Sequence, residues 1–217
     1  MARNKHPEET VRKILDVSQR LFQEKGYEGT TVQDIVDALG LSKGAIYHHF
    51  RSKEDILDRL NDRYYEELDW YPDPSCLPGA NGLEKLRYAF RHFLSDPQKL
   101  EMDRLTIRLL KNPKLVVLSL DSIFLSAAPY MERLVQEAMA DGSACPEFPH
   151  ELSETFMMLS NIWTGMHPGT REEFRQKFLF CKVFLERFGL PILTDDLVEV
   201  AVAYYDQVLA PPPGAAP

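Results

Sequence analysis

Along almost the whole chain, apolar residues recur at intervals of three and four. Apolar–polar alternation bounded by turn residues is hard to find, so the period predicts an all-α fold. A first helix is expected from about Pro7 to Lys25, burying Val11, Ile14, Leu15, Leu21 and Phe22, with Gly26 as its stop. A short second helix should run from Val32 to Leu39, entered through Thr30 and Thr31, with Ile35, Val36 and Leu39 inward. Gly40 and Leu41 make a tight turn, and Ser42 can cap a third helix reaching His49 or Phe50. A fourth begins near Lys53 and carries Ile56, Leu57, Leu60 and Tyr64 at helical spacing. The prolines and glycines between Tyr71 and Gly82 break the pattern as a linker or irregular excursion. Beyond it, helices are expected near 82–95, 98–111, 114–140, 149–166, 171–188 and 195–209. Pro129 should kink the third of these, because it removes a backbone donor and crowds the preceding turn. The tail APPPGAAP is expected to be disordered.

Composition narrows the class. With 217 residues, 44% hydrophobic and 27% charged, the chain can bury a core in one or two domains and is not generally disordered. Three scattered cysteines, Cys76, Cys145 and Cys181, argue against a disulfide framework or a structural zinc site and fit a reducing cytoplasm. The uncharged run from Thr155 to Thr170 is too rich in polar residues, Gly and Pro to make a good membrane span, and the N-terminal residues show no apolar export signal. The net charge of −8 is unevenly spread. Residues 1–53 hold nine Lys/Arg against seven Asp/Glu, and the rest hold sixteen against twenty-six. The acidity therefore belongs to the larger C-terminal part, which phosphates would repel, while the N-terminal part can approach them.

Two short helices around a glycine turn, braced by a longer one, make a helix-turn-helix, and a short helix fits the major groove. Lys43, Gly44 and Ala45 open the third helix. The two small residues allow close approach, Ala45 can meet a thymine methyl, and Lys43 can reach a guanine or a phosphate. Thr31 and Ser42 sit at helix starts, where free N–H groups favour a phosphate or where they serve simply as caps. Tyr47 and His48 follow toward the groove, although Tyr47 also suits a core. Lys53 can hold a second phosphate or be a solvated charge, and Ile46 and Phe50 pin the helix from behind. His48 and His49 point about 100° apart on a helix and cannot chelate together. Arg3, Lys5 and His6 form either a DNA-touching arm or a disordered start.

The segment GYEGTTVQDIVDALGLSKGAIYHHFRSKEDIL, Gly26 to Leu57, resembles the DNA-binding signature of TetR-family transcriptional regulators. The features are Gly26-Tyr27, Thr30-Thr31, Ile35, Gly40-Leu41-Ser42, the run from Lys43 to Phe50, and Ser52-Lys53-Glu54; Leu39 departs from the alanine common there. The resemblance covers about a quarter of the chain. It implies an all-α homodimer with an N-terminal three-helix helix-turn-helix domain (1–53), a larger ligand-binding and dimerisation domain (54–209) and a tail (210–217). It carries over Thr31, Ser42, Lys43, Gly44, Ala45, Tyr47, His48 and Lys53 as contacts to double-stranded DNA.

No catalytic motif appears in the larger part: GxSxG, HExxH, Walker A and GxGxxG are all missing. The chain is therefore not expected to be an enzyme, and no cofactor or metal is expected. Glu147 and His150 have ExxH spacing, but in a single copy that Pro149 interrupts. Asp121 interrupts LVVLSLDSIFLSAAPYM, on a face with Val117, Phe124, Leu125 and Ala128. A carboxylate there pairs with an arginine such as Arg104 or Arg108, lies exposed, or lines a cavity. Phe124, Tyr88, Met102, Phe156 and Trp163 are further candidate linings of an effector pocket, each also a candidate for the core. The helices at 149–166 and 171–188 carry more apolar surface than one small bundle covers. With the resemblance, this implies a C2 dimer on a palindromic operator. The expected function is a cytoplasmic repressor released by a small-molecule effector, with no membrane partner. An activator, an enzyme with a DNA-reading module, or a helical adaptor binding a protein partner are the alternatives.

Overall fold

The computed structural model describes residues 7–68, 71, 73–107 and 113–210, the side chain of Pro7 excepted, with no strand among them. They fall into two compact units, residues 1–68 and 69–217. The terminal stretch with Arg3, Lys5 and His6, the tail beyond Ala210, and Arg108 lie outside the described residues.

In the first unit, α1 (Pro7–Lys25), α2 (Val32–Leu39), α3 (Lys43–His49) and α4 (Lys53–Glu66) follow the expected spans. α1 starts on Glu8 and Glu9 and ends on Lys25, charges that complement the helix dipole. Ile14, Leu15, Leu21 and Phe22 are buried, facing α2 and α4. The fully buried Thr30 hydroxyl donates to the Leu21 and Gly26 carbonyls, closing the turn between α1 and α2. Gly40 ends α2 with φ +63°, a left-handed conformation that only glycine enters without strain. The expected boundary after residue 53 falls one residue into α4, whereas the first compact unit includes the whole helix. Its Ile56, Leu57, Leu60 and Tyr64 are buried, and Arg63 reaches back to Asp16 (2.6 Å) and Gln19 (2.7 Å) on α1. The helical spacing of those four residues already marked that face for burial.

The second unit contains a 3₁₀ turn (Pro74–Cys76), α5 (Gly82–Ser95), α6 (Pro97–Thr106), α7 (Pro113–Ser122), α8 (Ala128–Ala140), α9 (Pro149–Met158), the short α10 (Thr164–Met166), α11 (Arg171–Arg187) and α12 (Asp195–Tyr204). α5 packs on α8 and α12, and α8 packs on α9. The approach of α5 to α8 is so close that a Cβ on Gly82 would sit 2.2 Å from the Ala138 backbone nitrogen, so no other residue fits there unmoved. Asp141 and Ser143 cap that start by accepting from Gly82 and Leu83 N–H at 2.6 and 3.1 Å. Arg87 donates to the carbonyls of Pro191 (2.8 Å) and Ile192 (3.3 Å), tying α5 to the loop before α12. Aromatic side chains fill the centre: Phe156 meets Phe90 at 5.3 Å between ring centroids, and Phe174 meets Phe178 at 5.0 Å and Tyr205 at 5.2 Å. Cys181 is buried among them, and its thiol is pushed up to about 12 by desolvation, as befits an inert core residue.

Three predicted helices run through π turns. The helix expected at 114–140 widens at Ile123–Ala127, where the Ala128 N–H bonds to the Ile123 carbonyl, five residues back. Pro129 follows at once. It has no N–H for the Leu125 carbonyl and its ring would crowd that oxygen, so the expected kink takes the form of a wider turn. In the helix expected at 149–166 the π turn spans Leu159–Trp163. There Ser160, Asn161 and Thr164 donate their side chains to the carbonyls four residues behind, loosening the ladder. The last helix also ends in a π turn, Tyr205–Leu209. The helix expected at 98–111 is α6, one residue earlier at its start, and its expected end lies outside the described residues.

By length and composition, Pro113–Ala140 is apolar enough to cross a membrane, with Asp121 lying within it. Asp121 is exposed, so the reading that buries it in an apolar cavity is not what the structure shows. It does share a face with Val117, Phe124 and Leu125, but that face is open: Val117 is 56% and Leu125 77% exposed. Arg104, one of its suggested partners, donates Nε to the Gln207 carbonyl instead.

Candidate nucleic-acid interface

α3 is held from one side only. Ile46, 1% exposed, and Phe50 are buried in the first unit, and the Ser42 hydroxyl caps the helix by accepting the Ala45 N–H at 3.2 Å. The opposite side carries Lys43, Gly44, Tyr47 and His48, all exposed, with Ser42 exposed beside them and Ala45 half-buried. Tyr47 is 46% exposed, so it is not a core aromatic; the Lys43 ammonium stands 5.9 Å from its ring. A Cβ on Gly44 would have only the Ser42 hydroxyl oxygen nearby, at 4.0 Å. Among the described residues nothing demands glycine there, and the bare backbone faces outward. Neighbouring His49 is half-buried, and this desolvation together with His48 lowers its pKa, favouring the neutral ring.

The chemistry of this helix start matters as much as its exposure. The first turn of α3 holds no acid, so its cap and backbone N–H groups present uncompensated positive potential. The first turn of α2 holds Asp34 in a capping box with Thr31. The Asp34 carboxylate accepts the Thr31 N–H at 2.8 Å and its hydroxyl, and the Lys25 ammonium at 2.6 Å. Lys25 and Thr31 hold that carboxyl well below the usual carboxylate range. Thr31, expected to meet a phosphate, is thus engaged with its own helix. Lys53 is likewise engaged: its Nζ donates to the Tyr27 carbonyl at 2.6 Å and to the Thr30 carbonyl at 2.9 Å, and lies 4.1 Å from the centre of the Tyr27 ring. The T-x-x-D spacing of Thr31 and Asp34 was a readable signal for the capping box; the reach of Lys53 across to Tyr27 had none.

The candidate effector residues divide. Met102 and Phe156 are buried in the core of the second unit, whereas Asp121, Tyr88, Phe124 and Trp163 lie at its surface. Tyr88 stacks on His92 at 6.4 Å, and Trp163 packs edge-on against Phe180 at 5.9 Å beneath the Lys177 ammonium. A surface groove of about 710 Å³ runs beside Met166, His167, Glu173 and Lys177. His150 pairs with Glu132 at 2.8 Å and not with Glu147, and no cluster of three His, Cys, Asp or Glu suited to a metal occurs among the described residues.

A short outward helix, anchored by two apolar residues and following a glycine turn, defines a helix-turn-helix DNA-reading unit. Residues 14–60 match the family model described as bacterial regulatory proteins, tetR family. The chain is 44% identical over 55 residues to the HTH-type transcriptional repressor KstR2 of Rhodococcus jostii, covering 25% of this chain and 27% of that protein. It is 43% identical over 103 residues to the HTH-type transcriptional repressor AcnR of Corynebacterium glutamicum, covering 48% and 49%. The chain thus spans about a quarter to a half of the length of these curated relatives. Over the whole fold it is similar to Salmonella enterica GusR, with a TM-score of 0.61 at 16% identity, covering 96% of this chain and 100% of that one. The match to the tetR family model is confined to residues 14–60, the segment that holds α2, α3 and the start of α4.

Proposed function

We propose that the chain is a cytoplasmic transcriptional repressor that binds a palindromic operator in double-stranded DNA as a homodimer, and that a small molecule held by the second unit lowers this affinity. The observation that carries the reading is the α3 surface. Ser42, Lys43, Gly44, Tyr47 and His48 stand outward on a helix whose first turn lacks any acid, and two of the relatives to which the chain is similar are named repressors. Ala45, half-buried at the same helix start, completes the surface offered to the duplex. No catalytic role is assigned.

An aromatic ridge on the second unit supports the dimer. Phe180 (55% exposed), Val183 and Phe188 face away from the core side of α11, which buries Phe174, Phe178, Cys181 and Leu185. Phe184 bridges Phe180 and Phe188 at 6.1 and 5.3 Å, and Phe148 and Trp163 extend the ridge at its two ends. An apolar strip of this length in water is a candidate contact surface, and C2 pairing would let each copy cover the other's.

Fluorescence anisotropy on fragments of the chain's own upstream DNA tests the reading. Binding should prefer one fragment, and its affinity should fall steeply with salt. Equal, weak binding to every fragment would overturn it.

A further inference from the structure

We propose, resting on the DNA-binding reading above, that the irregular stretch from Tyr71 to Gly82 is a strap pinning the chain that leaves the first unit onto α8. Tyr71, at its head, is the positioning residue through which duplex binding and the state of α8 affect each other. The stretch breaks the helical pattern with prolines and glycines, yet its described residues are fastened along one helix at successive points. At the head, the Tyr71 ring packs on that of Tyr130, with centroids 4.9 Å apart. Tyr130 is buried near the start of α8, and the Arg133 guanidinium lies 5.4 Å from its ring. Hydrogen bonds from Ser75, and then the charges of Arg133 and Lys85, hold the Asp73 carboxyl of the strap below its usual range. In the middle, the 3₁₀ turn Pro74–Cys76 packs on α8, and Leu77 after it is buried. At the foot, no Cβ fits between Gly82 and the Ala138 backbone, and the Gly82 N–H donates to Asp141, the cap that ends α8, at 2.6 Å. Strap and helix therefore run in the same direction, in contact from Tyr130 to Asp141.

A free linker would let the two units respond separately. Here the first fastening comes three residues after Leu68, the last residue of the first unit, a length of roughly 10 Å even when fully extended. That leaves little chain to absorb a displacement. α8 also packs on α5 and α9 and follows directly on the π turn Ile123–Ala127. A molecule held by the second unit that shifts or steadies α8 thus acts on the segment that the strap holds. Coupling between two binding events is reciprocal, so DNA serves as the probe: a duplex on the first unit should leave a mark on α8, and the mark should depend on Tyr71.

Amide hydrogen exchange of the full-length chain is followed by mass spectrometry with and without its preferred upstream fragment, for wild type, Tyr71→Ala, Tyr71→Phe and Tyr130→Leu. In wild type the fragment should slow exchange in the first unit and also in α8, there by about fivefold, the low end of ordinary coupling. In Tyr71→Ala the slowing should persist in the first unit and vanish from α8. Tyr71→Phe, which keeps the ring, should match wild type. Tyr130→Leu removes the partner ring but keeps an apolar side chain in the core, and should repeat Tyr71→Ala; either variant serves alone if the other melts below the assay temperature. A merely structural contact would raise α8 exchange equally with and without DNA, leaving the ratio at its wild-type value, and that result would overturn the proposal. So would slowing lost from both units together, which would make the ring a support of the whole fold. Loss of the α8 response in Tyr71→Phe would overturn the role of the ring, and a wild type slowed in the first unit alone would overturn the coupling. A wild-type chain with no fragment preference and no slowing anywhere would instead remove the DNA reading itself, and this proposal with it.

Discussion

The starts of α2 and α3 use the same device and end with opposite electrostatics. Each is capped by a hydroxyl, Thr31 in one and Ser42 in the other, that accepts a backbone N–H from the next turn. At α2 the dipole is answered from within by Asp34, itself held by Lys25. The first turn of α3 holds no acid, and Lys43 adds to the positive end. A helix that supplies its own counter-charge is finished as a structural element. One that does not is destabilised slightly in isolation and is ready for an anion from outside. Between these two helix starts, the counter-charge is where they part.

The strongest way to break this comparison is to remove the anchor of the reading helix. Ile46→Ala should cost about 2–5 kcal/mol and lower the melting temperature of the first unit, with DNA binding lost alongside. Retained binding at a lowered melting point would mean that α3 needs no fixed seat. A sharper test gives α3 the charge that α2 has. Lys43→Glu should stabilise the helix by about 0.3–1 kcal/mol through the dipole. It should nevertheless weaken operator binding by at least the ~1–3 kcal/mol typical of a lost base contact. Opposite signs in melting and in anisotropy are the expected signature; a fall in both would refute the dipole argument.

Gly44→Ala comes next in size. The open space around Gly44 and the gain in helix propensity predict an increase in stability of about 0.5–1 kcal/mol. Any loss of operator affinity in that variant then reports contact between the α3 backbone and DNA. The smallest effect is at α2. The Asp34 pKa is depressed in the folded chain, so its contribution is present above the ordinary carboxylate value of about 4 and disappears as pH falls through the folded value. The difference in melting temperature between wild type and Asp34→Asn should therefore be largest near neutral pH and should shrink in acid.

The first unit was legible because its signals are local. Gly26, Thr31, Gly40, Ser42 and Ser52 mark helix ends through their own backbone and cap chemistry, and the helices begin and stop beside them. In the second unit, helix existence was legible and helix continuity was not. The π turns arise where side chains such as Ser160 and Thr164 compete for carbonyls, or where Pro129 withdraws a donor, and only the proline announces itself. Asp121 shows another limit. The helical wheel grouped it with Val117, Phe124, Leu125 and Ala128, but a wheel does not say whether a face is covered: Val117, Phe124 and Leu125 are exposed, and Ala128, beyond the π turn, is buried. For Lys53 the limit is reach: a flexible four-carbon stem carried its charge back to carbonyls more than twenty positions earlier, which no local pattern encodes.

The grip of Arg87 on the Ile192 carbonyl, 105 positions apart, also sets a timetable for synthesis. Every contact within the first unit becomes available once residue 68 has left the ribosome. α5 must wait for the loop before α12. At about 5–20 residues per second, that is a delay of roughly 5–20 s with one helix face uncovered. Nascent second units are thus the part of this chain that depends most on whatever shelters unfinished polypeptides in the cell.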